Sequence, residues 1–239
     1  MILAGLLCWQ LAVRLLGVPI VLVPAPTDVA RALVAGLANG ELPRQAWVSL
    51  QEILAGFGLA SVAGLCSALL LTQSRLAEKA LMPLIVLTQS VPKVAMAPIL
   101  LIWFGTGMTS KVITTALVAF FPMLINSVLG LRSADREHVD MLRSFGATRR
   151  QILWRLTLPS ALPSLFAGLE VAVVLSVTGA IVAEFVGSSA GLGYLMQATN
   201  FSLDVATTFA VLVVLGGIGL SLHGAVAWIN RRFVFWSTP

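Results

Sequence analysis

The spacing that could do chemistry in this chain lies inside its one long polar interruption, roughly Arg132 to Pro159. There Asp140-Met141-Leu142 is followed by three residues and Gly146, then by nine residues and Leu156-Thr157-Leu158-Pro159. Between Arg136 and Phe145, Val139, Leu142 and Phe145, with Met141 beside them, recur at helical spacing. Arg136, Glu137, Asp140 and Arg143 cover the other side. Gly146 is expected to end that helix, because glycine readily takes the left-handed conformation at a helix C-terminus. Thr148 can cap a second helix with Ile152, Leu153 and Leu156 on its apolar side, and Pro159 is expected to end it. Two short amphipathic helices at a glycine corner make a stiff knob. Ala147 and Thr148 are small enough to enter a groove, and Arg149 and Arg150 can meet acidic groups. The chemistry offered is therefore either docking to a partner or anchoring to anionic lipid through arginine.

The elements around the knob are apolar. Of 239 residues, 58% are hydrophobic and 10% charged, with mean hydropathy +0.96. Soluble domains carry about 25% charged residues, so the composition gives an integral membrane protein, expected to be all-α from the helical spans that follow. The length suits one membrane domain, 1–239, of about six transmembrane helices at about 20 residues each. Expected spans are Ile2–Val23, Ala46–Leu71, Ala80–Phe104, Lys111–Leu131, Pro163–Val186 and Val205–Ile229. The first starts without a basic region or a convincing small-residue cleavage site, so it is expected to be a membrane helix and not a cleaved signal. Pro24-Ala-Pro26 stops it. Thr27 or Asp28 then caps a short amphipathic helix with Val29, Leu33 and Leu37 on one face, ending at Asn39-Gly40. Pro83, Pro92 and Pro98 predict kinks or a break in the third span, which stops at Gly105-Thr-Gly107.

Basic residues orient the chain. Arg75, Lys79, Arg132, Arg136, Arg143, Arg149, Arg150, Arg155, Arg231 and Arg232 fall in the even-numbered connections and the tail. Only Arg31, Arg44 and Lys111 fall in the odd-numbered ones. Both termini and the 132–159 loop are thereby expected to be cytoplasmic. The net charge of +5 needs no nucleic acid: there is no long basic run interleaved with aromatics. Cys8 and Cys66 sit in apolar segments, His138 and His223 stand apart, and no metal-ligand spacing occurs, so no metal is expected. No GxxxxGK[ST] phosphate loop is present, so the chain is not expected to hydrolyse ATP itself.

The Asp140-Met141-Leu142, Gly146 and Leu156-x-Leu158-Pro159 layout resembles the EAA loop of ABC-importer permeases. Asp stands for Glu, Met and Leu for the two alanines, and Leu for Ile; the Gly and Leu-Pro are kept. The segment from Gln89 to Gly105, QSVPKVAMAPILLIWFG, looks like the third-helix region of nitrate/sulfonate/taurine-type permeases. Ala183 to Tyr194, AEFVGSSAGLGY, Ser49 to Gly58 and Phe120 to Arg132 fit the same family. The resemblance covers nearly the whole chain after the first span. It implies a type I importer fold, a second permease copy (a homodimer), two separate ATPase subunits that bind ATP and Mg, an extracytoplasmic binding protein and a bacterial inner-membrane location. It also implies that Asp140, Met141, Leu142, Gly146, Ala147, Thr148, Arg149, Arg150, Leu158 and Pro159 form the ATPase-coupling loop.

Ionisable residues within spans cost about 2.5–3.5 kcal/mol at the helix centre, so each is a functional candidate. Glu184, before a glycine-rich stretch, either lines or gates the pathway or accepts backbone N–H groups of the Gly187–Gly193 loop. Lys93, after Pro92, either snorkels to the surface, attracts an anion or pairs with a carboxylate. Glu52 and Glu170 are expected to make interhelical pairs. Gln89 and Asn126 are either pathway polars or interhelical hydrogen-bonding groups. Two other classes compete with the importer permease. An ion-coupled secondary transporter calls for more paired ionisable residues in spans, often within repeats, and no repeat is visible. A membrane enzyme calls for a clustered His, Asp or Ser constellation, which the sequence lacks.

Overall fold

The computed structural model describes residues 1–89 and 91–236, and among these no strand occurs. The helices are α1 (Ile2–Leu15), α2 (Pro26–Ala38), α3 (Glu41–Gln73), α4 (Arg75–Gln89), α5 (Ala97–Phe104), α6 (Met108–Arg132), α7 (Arg136–Ser144), α8 (Arg149–Ile152), α9 (Leu158–Gly187), α10 (Leu192–Phe201) and α11 (Val205–Phe233). Among the described residues four helical segments are long and apolar enough to cross a membrane: Glu41–Gln73, Met108–Arg132, Arg149–Gly187 and Val205–Phe233. Two shorter apolar helices, Leu3–Leu15 and Lys93–Phe104, join them.

The spine is α6, packed along α3 on one side and α9 on the other. Gly56 of α3 and Gly179 of α9 both lie against Thr115 of α6, where a side chain on either glycine would meet it. Small residues let helix backbones approach closely, and close packing drives helix association where lipid is as apolar as the helix surface. Gly64 against Met123 gives the parallel register of α3 and α6. Gly130 against Ala161 and Ser164 gives the antiparallel register of α6 and α9. The buried cluster of Ala60, Met123, Leu124, Val128, Ala161 and Leu165 fills the junction. This arrangement places α7, α8 and the C-termini of α3, α6 and α11 at one end, and the N-termini of α3, α6 and α11 with α10 at the other.

Several boundaries differ from the sequence expectation. The first helix stops at Leu15, not Val23, because Gly17 turns the chain at φ +61° and Pro19 follows. Pro26 is the first residue of α2 with Ala25 as its cap, so Thr27 and Asp28 lie inside the first turn. The third expected span is divided into α4, a 3-10 turn at Lys93–Met96 and α5. Pro92 precedes that turn and Pro98 begins α5, so the prolines break the segment as expected. Lys111, the first residue of the fourth expected span and counted with the connection before it, lies one turn inside α6 and is buried.

Candidate functional site

Two polar constructions mark the two ends of the helical bundle. The first is the knob. Asp135 caps α7, its carboxylate accepting the Glu137 N–H at 2.9 Å. Gly146 closes α7 in the left-handed region at φ +80°. The Gly146 N–H reaches the Arg143 carbonyl at 2.9 Å and the Ala147 N–H reaches the Leu142 carbonyl at 3.0 Å. This paired closure satisfies carbonyls that a bare helix end would leave open. Thr148 opens α8 with a reciprocal cap: its hydroxyl accepts the Gln151 N–H, and the Gln151 side chain accepts the Thr148 N–H at 2.8 Å. Both ends of the corner are thus braced by local hydrogen bonds.

Around this corner Asp140 pairs with Arg143 at 3.0 Å, both exposed. Leu142, Phe145, Gly146, Ala147, Gln151 and Arg155 line a cleft. Phe145 is 80% exposed and Trp154 63% exposed, with Met141 also outward. Arg149 and Arg150 are exposed beside them. The structure corrects one expectation: Pro159 does not end the second helix. A π turn at Leu153–Thr157 carries α8 into α9, giving one run from Arg149 to Gly187. Proline lacks an N–H, and its ring would clash with the carbonyl four residues back in an α-helix. The wider turn, in which the Leu158 N–H bonds to the Leu153 carbonyl, precedes Pro159 at the start of α9. Leu158 and Pro159 therefore belong to the helix that leaves the knob.

The second construction lies at the opposite end. The N-terminus of α10 is capped by side chains from other helices. The Gln45 side chain accepts the Gly191 N–H at 2.7 Å, the Ser49 hydroxyl accepts the Leu192 N–H at 2.8 Å, and the Glu184 Oε2 accepts the Gly193 N–H. The Ser49 hydroxyl in turn donates to Glu184 Oε1 at 2.5 Å. Gly191 has φ +113°, and a Cβ there would fall on the Glu184 carboxyl. Beside this cap Lys111 Nζ donates to Glu52 Oε1 at 2.7 Å, with both side chains buried. α3, α6, α9 and α10 are joined by these contacts.

Of the sequence candidates in the spans, Glu184 makes a backbone hydrogen bond to the start of α10, as the second of its two readings has it. Lys93 lies 4.7 Å from the centre of the Phe121 ring, a cation–π contact. The Asn126 amide nitrogen donates to the Pro122 carbonyl of its own helix at 2.8 Å. Gln89 ends α4, and its side chain lies outside the described residues. Glu52 makes the interhelical pair expected of it, and Glu170 accepts from Asn230 of α11 at 3.1 Å. Sequence reasoning missed Gln45, Ser49 and Lys111. Their signal was present: Gln45, Ser49 and Glu52 recur at four- and three-residue spacing, which puts all three on one face of α3.

With this geometry in place, comparison with known proteins is decisive. Residues 56–235 match the family described as the inner membrane component of binding-protein-dependent transport systems. The chain belongs to that family. A probable ABC transporter permease of Haemophilus influenzae is 38% identical over 233 residues, covering 97% of this chain and 94% of the relative. The riboflavin transport system permease RibX of Chloroflexus aurantiacus is 38% identical, covering 97% and 86%. In fold, the permease resembles a chain of the inward-facing MetNI methionine ABC transporter: TM-score 0.71 at 21% identity, covering 80% of this chain and 95% of the other. The protein is a permease subunit of an ABC importer with the type I importer fold.

Proposed function

We propose that the knob docks into a groove of a separate ATPase subunit and carries its movement into the membrane. The observation that carries this reading is the braced corner itself. It exposes Phe145 and Trp154 at the end of the bundle where basic residues gather, and it runs without a break into α9. Large apolar side chains on an exposed, internally rigid surface mark an interaction site. ATP and Mg belong to the ATPase, since this sequence has no phosphate-binding loop. ATP binding there closes the ATPase pair, draws two knobs together and opens the pathway away from them; hydrolysis resets it. The permease acts as a homodimer in the bacterial inner membrane, with the knob and both termini cytoplasmic. A substrate-binding protein meets the opposite end.

The cargo reading rests on relatives. Those named for riboflavin and formylaminopyrimidine transport are 38% and 34% identical, against 30% and 28% for those named for aliphatic sulfonates and taurine. This favours a small heterocyclic vitamin or vitamin precursor. A panel of such compounds and of sulfonates, titrated against the cognate binding protein, tests the cargo. Cross-linking from a cysteine at Thr148 to the ATPase tests the docking, and no cross-link in an assembled, active transporter overturns it.

A further inference from the structure

The charges at the end opposite the knob do not balance. Lys111 can carry one positive charge, and Glu52 and Glu184 can carry two negative ones. Lys111 is 7% exposed, Glu52 2% and Glu184 0%. Glu52 Oε1 is occupied by the Lys111 ammonium. Both oxygens of Glu184 already accept, one from Ser49 and one from Gly193. Glu52 Oε2 is enclosed and has no hydrogen-bond partner.

Among the described residues its neighbours mostly bond elsewhere; the Lys111 ammonium and the Thr115 hydroxyl, one turn further along α6 and itself without a hydrogen-bond partner, bring one positive charge between them and so leave the second negative charge unmatched. The Ser49 hydroxyl donates to Glu184. On α6, Ser110 and Thr114 donate to the carbonyls of Gly107 and Ser110. α10 contributes only backbone N–H groups, which are used by Gln45, Ser49 and Glu184. The charged groups facing the cluster are Glu52 from α3, Lys111 from α6 and Glu184 from α9; α10 carries none in Leu192–Phe201. The Glu52 and Glu184 carboxyl groups are held at one place: Ser49, one helical turn before Glu52 on α3, donates to Glu184, and Glu52 holds Lys111 beside it. Two carboxylates that close cannot both be ionised in an apolar interior without a large cost.

We propose that Glu52 and Glu184 share one proton, so that with Lys111 they form an electrically neutral hub. A carboxyl O–H between them supplies the donor that Glu52 Oε2 lacks. A bound cation fits poorly, because a hard cation takes about six oxygen ligands and, among the described residues near the cluster, only Glu52 Oε2 and the Thr115 hydroxyl are without a partner. The hub then joins α3, α6 and α9 to the start of α10 without holding a net charge in the bundle.

Infrared spectroscopy of the complete transporter in lipid nanodiscs reads the shared proton directly. At mildly alkaline pH the parent should show a carboxylic-acid C=O stretch above the amide band. That stretch should be lost in Glu184→Gln and in Glu52→Gln. Glu184→Gln gives up one of the two acceptors but keeps a side-chain N–H that can donate to Glu52, so it should melt below the parent, and Glu184→Leu, which loses every one of these bonds, should melt earlier still. Absence of the band in the parent, or its survival in Glu184→Gln, overturns the proposal. So does a parent without the band whose stability rises with sodium but not potassium, since a cation then takes the proton's place. Should Glu52→Gln fail to fold, the parent and Glu184→Gln spectra still decide.

Discussion

Replacing Gly146 by valine isolates the corner of the knob. The residue sits at φ +80°, and an added Cβ there meets no atom within 4 Å. The cost is therefore backbone strain alone, about 1–2 kcal/mol for a residue with a side chain in the left-handed region, and β-branching adds to it. Against this stand the two closing hydrogen bonds, to the Arg143 and Leu142 carbonyls, at about 0.5–1.5 kcal/mol each. Strain and bracing are of similar size, so the population of the native corner should fall by roughly 5- to 30-fold. Gly146 lies outside the four spanning helices, so insertion and the global melting temperature should hardly change. The assay is ATP hydrolysis and solute uptake in proteoliposomes at matched expression. Gly146→Ala should lose part of its coupled uptake, and Gly146→Val should lose most of it. A Gly146→Val permease that assembles with its ATPase and transports at the parental rate would refute the rigid corner.

Three further outcomes are expected. Single cysteines at Thr148 and Ser189, in a chain with Cys8 and Cys66 replaced, should label from opposite sides of the membrane; labelling of Thr148 from outside intact cells would reverse the orientation. Gly191→Ala should destabilise the protein by at least about 1–3 kcal/mol, since it combines φ +113° with a side chain directed onto the Glu184 carboxyl; an unchanged thermal midpoint would argue against the cap of α10. Lys111→Met should cost about 3–5 kcal/mol by leaving Glu52 buried without its cation, and adding Glu52→Gln should recover most of that loss. Additive losses in the double variant would mean that the ion pair is not the cause.

The parts of the permease legible in its sequence are those decided locally. Gly146 and Thr148 declare their roles because a left-handed turn and an N-cap depend on a few neighbouring atoms. The apolar runs that became α6 and α11 declare themselves by length. The opposite end was legible only in outline, because its logic is tertiary. Ser49, Glu52, Lys111 and Glu184 stand far apart in the chain, and only packing of α3, α6 and α9 brings them together. Lys111 stood at the edge of an expected span, where its charge was counted with the connection, and nothing near it in sequence announces its buried partner Glu52 on another helix. Pro159 was expected to break a helix because the rule for proline assumes α geometry, and the π turn before it relaxes that rule.

The unbroken run from Arg149 to Gly187 fixes something besides position. Its 39 residues make a rod roughly 58 Å long. Along such a rod each residue added or removed turns everything beyond it by roughly 100°. The azimuth of Trp154 is thus geared to that of Glu184, and the number of residues between them matters more than most of their identities. Insertions that a surface loop would absorb should be poorly tolerated anywhere in α9. The π turn is the one place on this rod where the phase has already been advanced.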